Sequence, residues 1–118
     1  MAIDEGFGFS NVVQKTYDEV IQLLSNVTVT GPGDWVPTSA FAKSVVATLT
    51  GTGTLSATIN VEVSDDGDLP LQTLPGTITL SNLSPKDGFA INAVWPFIRM
   101  NVISLSGTAA TLNGTMRV

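Results

Sequence analysis

The stretch TLSATINVEVSDDGD, residues 54–68, constrains the fold more than any other part of this chain. Apolar and polar side chains alternate from Leu55 to Val63, and the alternation stops at a cluster of aspartates around Gly67. Such alternation predicts a β-strand with one face on a core and the other face in water. We therefore expect Glu62, on the polar side, to face solvent. The Asp-Gly pair predicts a turn, because glycine adopts the left-handed conformation freely.

Further strands are predicted on both sides of this stretch. Residues 40–50 are rich in β-formers and lead into GTG, which predicts a hairpin connection to the alternating strand. Near the C-terminus the chain is expected to turn at Gly107-Thr108. Within residues 97–106 the apolar spacing changes phase at Ile103, and a change of phase inside a strand indicates a β-bulge.

Composition agrees with an all-β fold. Hydrophobic residues make up 43% of the 118 residues and charged residues only 13%, so Thr, Ser, Asn and Gly must supply much of the polar surface. The turns between segments contain Gly, Pro and Asp, which is typical of a β-sandwich or jelly roll. We predict one such domain over residues 27–118.

The first 26 residues are predicted to form an N-terminal arm and a short helix. Residues 1–10 hold Ile3, Phe7 and Phe9 without a usable period, so they form either a tail or an arm whose apolar side chains insert into a partner. Residues 11–25 show the spacing of a helix face, with Tyr17 on it, although a β-rich interpretation of residues 20–30 is also open. We assign Ile3, Phe7, Phe9 and Tyr17 to a partner interface.

The chain contains no histidine and no cysteine. This composition excludes Ser-His-Asp and Cys-His nucleophile systems and histidine zinc sites. Asp65, Asp66 and Asp68 could bind calcium, but their spacing differs from a calcium loop, and a solvated turn is the preferred interpretation. We therefore predict a protein that is not an enzyme and has neither a metal site nor a cofactor.

The net charge of −5 argues against several partners. The basic residues form no cluster, so we expect no binding to nucleic acid or to an anionic membrane. No apolar run is long enough for a spanning helix, and the N-terminus shows no secretory signal. Trp35 and Trp95 fit either sugar platforms or, by preference, core and interface packing beside prolines.

Two stretches, GTGTLSATINVEVSDDGD (51–68) and WPFIRMNVISLSGTAATLNGTMRV (95–118), resemble small virion proteins of tailed bacteriophages. The resemblance covers about residues 45–118 and is a pattern of β-sandwich strands. Such proteins are often capsid decoration (cement) proteins, and some are head-tail or fibre components.

The resemblance implies a protein that is made in the host cytoplasm and bound to the outer capsid surface of the virion. Its partners would be the major capsid protein and copies of itself, as a homo-oligomer on the shell. Two alternatives stay open: a carbohydrate-binding module of a tail or fibre protein, and a head-tail connector or tail subunit.

Overall fold

A computed structural model describes residues 19–72 and 74–118, which form seven β-strands and contain no helix. All strand pairs are antiparallel, so the predicted all-β class is confirmed. Residues 1–18, with the predicted arm and interface residues Ile3, Phe7, Phe9 and Tyr17, lie outside the described residues. The strands are β1 (Val20–Val27), β2 (Gly31–Pro32), β3 (Val36–Pro37), β4 (Ala42–Ser64), β5 (Gly76–Ser81), β6 (Lys86–Asn92) and β7 (Phe97–Arg117).

The two long strands, β4 and β7, pair with each other along nearly their whole length. Ser44 lies opposite Arg117 at one end of the pairing, and Ser64 lies opposite Phe97 at the other. The register is interrupted midway, between residues 50–56 of β4 and residues 106–111 of β7. There the sheet folds over, so each long strand contributes one half to each of two layers.

Layer one consists of β1, the second half of β7, the first half of β4 and β6. Layer two consists of β2 and β3, the first half of β7, the second half of β4 and β5. Gly114 of layer one has no room for a Cβ because the Met100 side chain of layer two stands against it. Likewise, the ring of Phe89 on β6 lies on Gly76 of β5. The layers therefore face each other as a β-sandwich made from one continuous sheet.

The core lies between the two layers. The five predicted inward residues between Leu55 and Val63 are all buried, which confirms the register of this strand. The bulge is also confirmed: Thr58 pairs with Ser104 and Ile59 with Val102, so Ile103 has no partner opposite it. The other apolar side chains with at most 2% exposure are Val45, Ala47, Leu49, Ile78, Leu80, Ile98, Met100, Val102, Leu112 and Met116.

Two of the predicted turns at glycines are not turns. β4 runs without interruption through Gly51 and Gly53, and β7 runs through Gly107, so the hairpin prediction at GTG and the turn at Gly107-Thr108 are wrong. Glycine marks both places because the backbone bends there into conformations that a side chain disfavours, with φ of 148° at Gly51. Sequence alone does not separate a turn from a bend inside a strand, since both need the same residue.

The helix prediction is wrong for residues 20–25, which belong to strand β1. Shifts in register on both sides of Leu24 bring Leu23 and Leu24 into the core together. With Ile21 packed against the same core, the apolar spacing of this irregular strand imitates that of a helix face. Strand β1 also includes Asn26 and Val27, the two residues on either side of the predicted domain boundary.

Gly51→Ala is expected to destabilise the protein more than Gly53→Ala. A Cβ at Gly51 would lie 2.9 Å from Leu55 Cδ2 and 2.9 Å from the Thr108 carbonyl oxygen, in a backbone conformation that costs a side chain about 1–3 kcal/mol. Gly53 also has a positive φ, 78°, but its Cβ would meet nothing closer than 3.9 Å.

Urea denaturation of both variants measures the difference. Equal losses of unfolding free energy would contradict the tight bend, because the two changes differ mainly in crowding.

Candidate functional site

A groove of about 640 Å³ opens at the end of the sandwich where both ends of β4 and β7 meet. We call this the open end; the opposite end, with Gly51 and Gly107, is the bend end. The groove is lined by apolar side chains and by the polar Gln72 and Asn92, without a charged residue among the described lining. The apolar lining is Val63, Leu71, Leu74, Pro75, Ala90, Ile91, Ala93 and Trp95.

Hydrogen bonds to backbone carbonyls hold the two walls of the groove in place. On one wall, the Leu71 N–H donates to the Val63 carbonyl at 2.9 Å, which fixes the β4–β5 loop against its own strand. On the other, the Lys43 amine donates to the carbonyls of Ala40 and Ala93, both at 2.6 Å. The groove is thus formed by the fold and does not need a ligand to shape it.

Lys43 is a buried charged residue that the sequence analysis did not single out. Its side chain points inward from β4, in line with Val45 and Ala47, and only 4% of the residue is exposed. Desolvation by burial lowers the pKa of this amine. The sequence indicated this burial, because Lys43 lies at a position where the alternation of the strand predicts an inward-pointing side chain.

Two exposed apolar side chains stand beside the groove. Phe41 is 60% exposed and Val94 is 58% exposed. Phe41 follows Ala40 in sequence, and Val94 follows Ala93. Because the Lys43 amine binds the carbonyls of both alanines, Phe41 and Val94 lie at the same corner of the open end. This open-end corner, Phe41 and Val94, extends the apolar surface of the groove into solvent.

A second cluster lies on the outer face of layer two. Arg99 Nε donates to Glu62 Oε1 at 2.7 Å, and Asn101 Nδ2 donates to Glu62 Oε2 at 3.0 Å. The Arg99 guanidinium also lies over the ring of Trp35, 4.1 Å from its centroid. The expectation that Glu62 faces water is wrong, because only 7% of the residue is exposed.

The cluster has a structural role. Trp35 lies between β2 and β3, the short edge segments of layer two, and its contact with Arg99 holds that edge against β7. The guanidinium covers one face of the indole. Trp35 and Trp95 therefore lie in different environments, and Trp95 is the tryptophan that lines a groove.

The aspartate turn is organised by its own hydrogen bonds. One oxygen of Asp66 accepts from the N–H groups of Asp68 and Leu69, at 2.9 and 3.2 Å, and from the Ser64 hydroxyl at 2.9 Å. These bonds hold the pKa of the Asp66 carboxyl below its usual value, and the bond from the Asp68 N–H has the largest effect. Among the described residues no three acidic side chains are grouped as metal ligands. The turn shapes the start of the loop that lines the groove.

Comparison with known proteins gives no match, whether by family model, by sequence against curated proteins or by structure. In the part of the chain that the structure describes, there is also no helix that could cross a membrane.

Arg99→Met is expected to lower the free energy of unfolding by about 3 kcal/mol, because it leaves the Glu62 carboxylate nearly buried without its cation. The double variant Arg99→Met/Glu62→Met should recover at least half of that loss, since an apolar pair of similar size replaces the ion pair. Denaturation of the wild type, both single variants and the double variant completes the cycle. Additive losses would contradict direct coupling between the two side chains.

Asp66→Asn is expected to reduce the sensitivity of the fold to acid. The pKa of Asp66 is lower in the folded state than in the unfolded state, so its contribution is complete above the unfolded pKa and is lost as pH falls through the folded pKa. Melting temperatures between pH 6 and pH 2 should therefore fall less steeply for the variant than for wild type. Asp65→Asn is the control, because it makes the same charge change one residue earlier and leaves the hydrogen bonds to Asp66 in place. Equal slopes for the two variants would contradict the prediction.

Proposed function

We propose that this protein decorates and cements the head of a tailed bacteriophage, binding the assembled shell and bridging neighbouring capsid subunits. The proposal rests on the position in the fold of the two sequence stretches that resemble small virion proteins. The stretch 51–68 falls in β4 and the turn after it, and the stretch 95–118 contains all of β7. The stretches on which we base the resemblance thus include residues 51–64 of β4 and all of β7, the strand that contributes to both layers.

The chemistry of the described residues supports a binding role. The groove is lined mainly by apolar side chains. Glu62 and Arg99 form an ion pair with each other, and the Asp66 carboxylate accepts hydrogen bonds within its own turn. The open-end corner offers apolar surface at the end where β1 begins, and residues 1–18 lead into β1 there. The attachment surface we propose is this corner together with Ile3, Phe7, Phe9 and Tyr17.

The mechanism is thermodynamic. A protein that binds the assembled shell and not free subunits stabilises the shell by mass action. On a repeated lattice, several weak contacts per copy add through effective concentration. No bond is made or broken, so the absence of a histidine or cysteine nucleophile places no limit on this role.

A second candidate is a carbohydrate-binding module of a tail or fibre protein. The observation that favours it is Trp95, a half-buried indole in an open groove beside Asn92 and Gln72. Aromatic rings with nearby amides are suited to stacking on sugar rings. The predominance of aliphatic side chains in the groove is the reason we rank this candidate second.

Co-sedimentation with undecorated phage shells tests the proposal. Deletion of residues 1–10 is expected to weaken binding at least tenfold, a loss of only about 1.4 kcal/mol. Circular dichroism should show that the truncated protein keeps its β-structure, because all seven strands of the described residues lie in Val20–Arg117, outside the deletion.

The double variant Phe41→Ser/Val94→Ser should also bind more weakly than wild type. Its control is Leu83→Ser, which removes a 99% exposed leucine near the bend end, where Asn82 contacts Gly53 and Leu55. Failure of the wild-type protein to bind any shell, together with retention on a glycan array, would instead favour the carbohydrate-binding candidate.

A further inference from the structure

We propose that the groove at the open end is the docking site for the N-terminal segment of the same chain, with Phe7 and Phe9 as the side chains that enter it. The structure assigns a preformed apolar groove with no occupant among residues 19–72 and 74–118. This inference concerns the isolated protein and does not depend on a role in a virion. On a shell, the same two side chains would leave the groove to contact the capsid.

The residues that line the groove determine which kind of ligand can bind there. Leu71, Leu74, Ile91 and Trp95 supply aliphatic and aromatic surface, and no charged residue is among the described lining. Its volume lies within the range of sites that take a drug-sized apolar group. A neutral, bulky apolar segment therefore fits better than an anion, a cation or a polar sugar.

The segment that follows Asp4 and Glu5 has this chemistry. In GFGFS, residues 6–10, the two phenylalanines are separated by one glycine. In an extended chain, residues two apart point to the same side, so both rings would face one surface. The intervening glycine adds no side chain that would hold the backbone away from the groove.

The connection is short enough for the segment to reach its own groove. Val118 N–H donates to the Glu19 carbonyl at 3.0 Å, and Val20 pairs with Arg117, which places the start of β1 at the open end. From β1 to β6, across β7 and β4, is three strand spacings, about 14 Å. The ten residue-to-residue steps from Phe9 to Glu19 can span roughly 33 Å when extended.

The tether also favours the same chain over a second copy. A segment linked by so few residues is present at its own groove at an effective concentration in the millimolar range. A second copy would have to exceed that concentration in solution to displace it. We therefore infer docking within one monomer.

The absence of native cysteine allows a direct test by disulfide trapping in the full-length protein. Ser10→Cys is combined either with Gln72→Cys at the groove or with Leu83→Cys near the bend end, as the control pair. Mild oxidation should form a disulfide within the monomer at least tenfold faster in the groove pair than in the control pair. Adding Phe7→Ser/Phe9→Ser to the groove pair should remove most of that difference.

Trp95 fluorescence gives the second measurement. In a Trp35→Phe background, Phe7→Ser/Phe9→Ser should increase acrylamide quenching of Trp95 by at least twofold, because the rings no longer shield the indole. Equal trapping rates in both cysteine pairs, or unchanged quenching, would overturn the proposal. Trapping that yields disulfide-linked dimers, at a rate that rises with protein concentration, would overturn docking within one monomer. Shell binding is measured separately, so either proposal can fail without the other.

Discussion

The antiparallel pairing of β4 with β7 is the interaction on which the rest of this structure depends. Every other strand pairs with one of these two, so neither layer exists without them. The fold of the sheet near Gly51 and Gly107 then turns one ladder of hydrogen bonds into two facing layers with a single core. The glycines are as necessary to this arrangement as the buried side chains, since they decide where the layers separate.

The same fold in the sheet explains where the surface features lie. It brings both ends of each long strand to one end of the molecule, and the loops 38–41, 65–75 and 93–96 meet there. The groove lies between the loops 65–75 and 93–96 and the adjoining ends of β4 and β6. The Lys43 amine joins the loops 38–41 and 93–96. By contrast, the Trp35–Arg99–Glu62 cluster stabilises an edge of layer two, where its two charges neutralise each other.

Local pattern predicted the all-β class, the inward residues of the strand from Leu55 to Val63 and the bulge at Ile103. It failed where tertiary contacts decide the outcome. The burial of Glu62 depends on Arg99 and Asn101, which are distant in sequence, and the irregular pairing of β1 gave Leu23 and Leu24 a spacing that suggested a helix. The groove was not predicted, because its walls come from loops and strand ends whose proximity follows from the fold of the whole sheet.

The central pairing also has a consequence for how fast this chain folds. Ser44 must meet Arg117, and the whole of β5 and β6 lies between them in sequence. Closing so long a loop costs conformational entropy before the paired strands can stabilise the chain. Domains dominated by such distant pairings therefore fold in milliseconds to seconds. Because both layers share these strands, neither layer can serve as a complete, independently stable intermediate. The chain is therefore expected to acquire its two layers in one slow cooperative step.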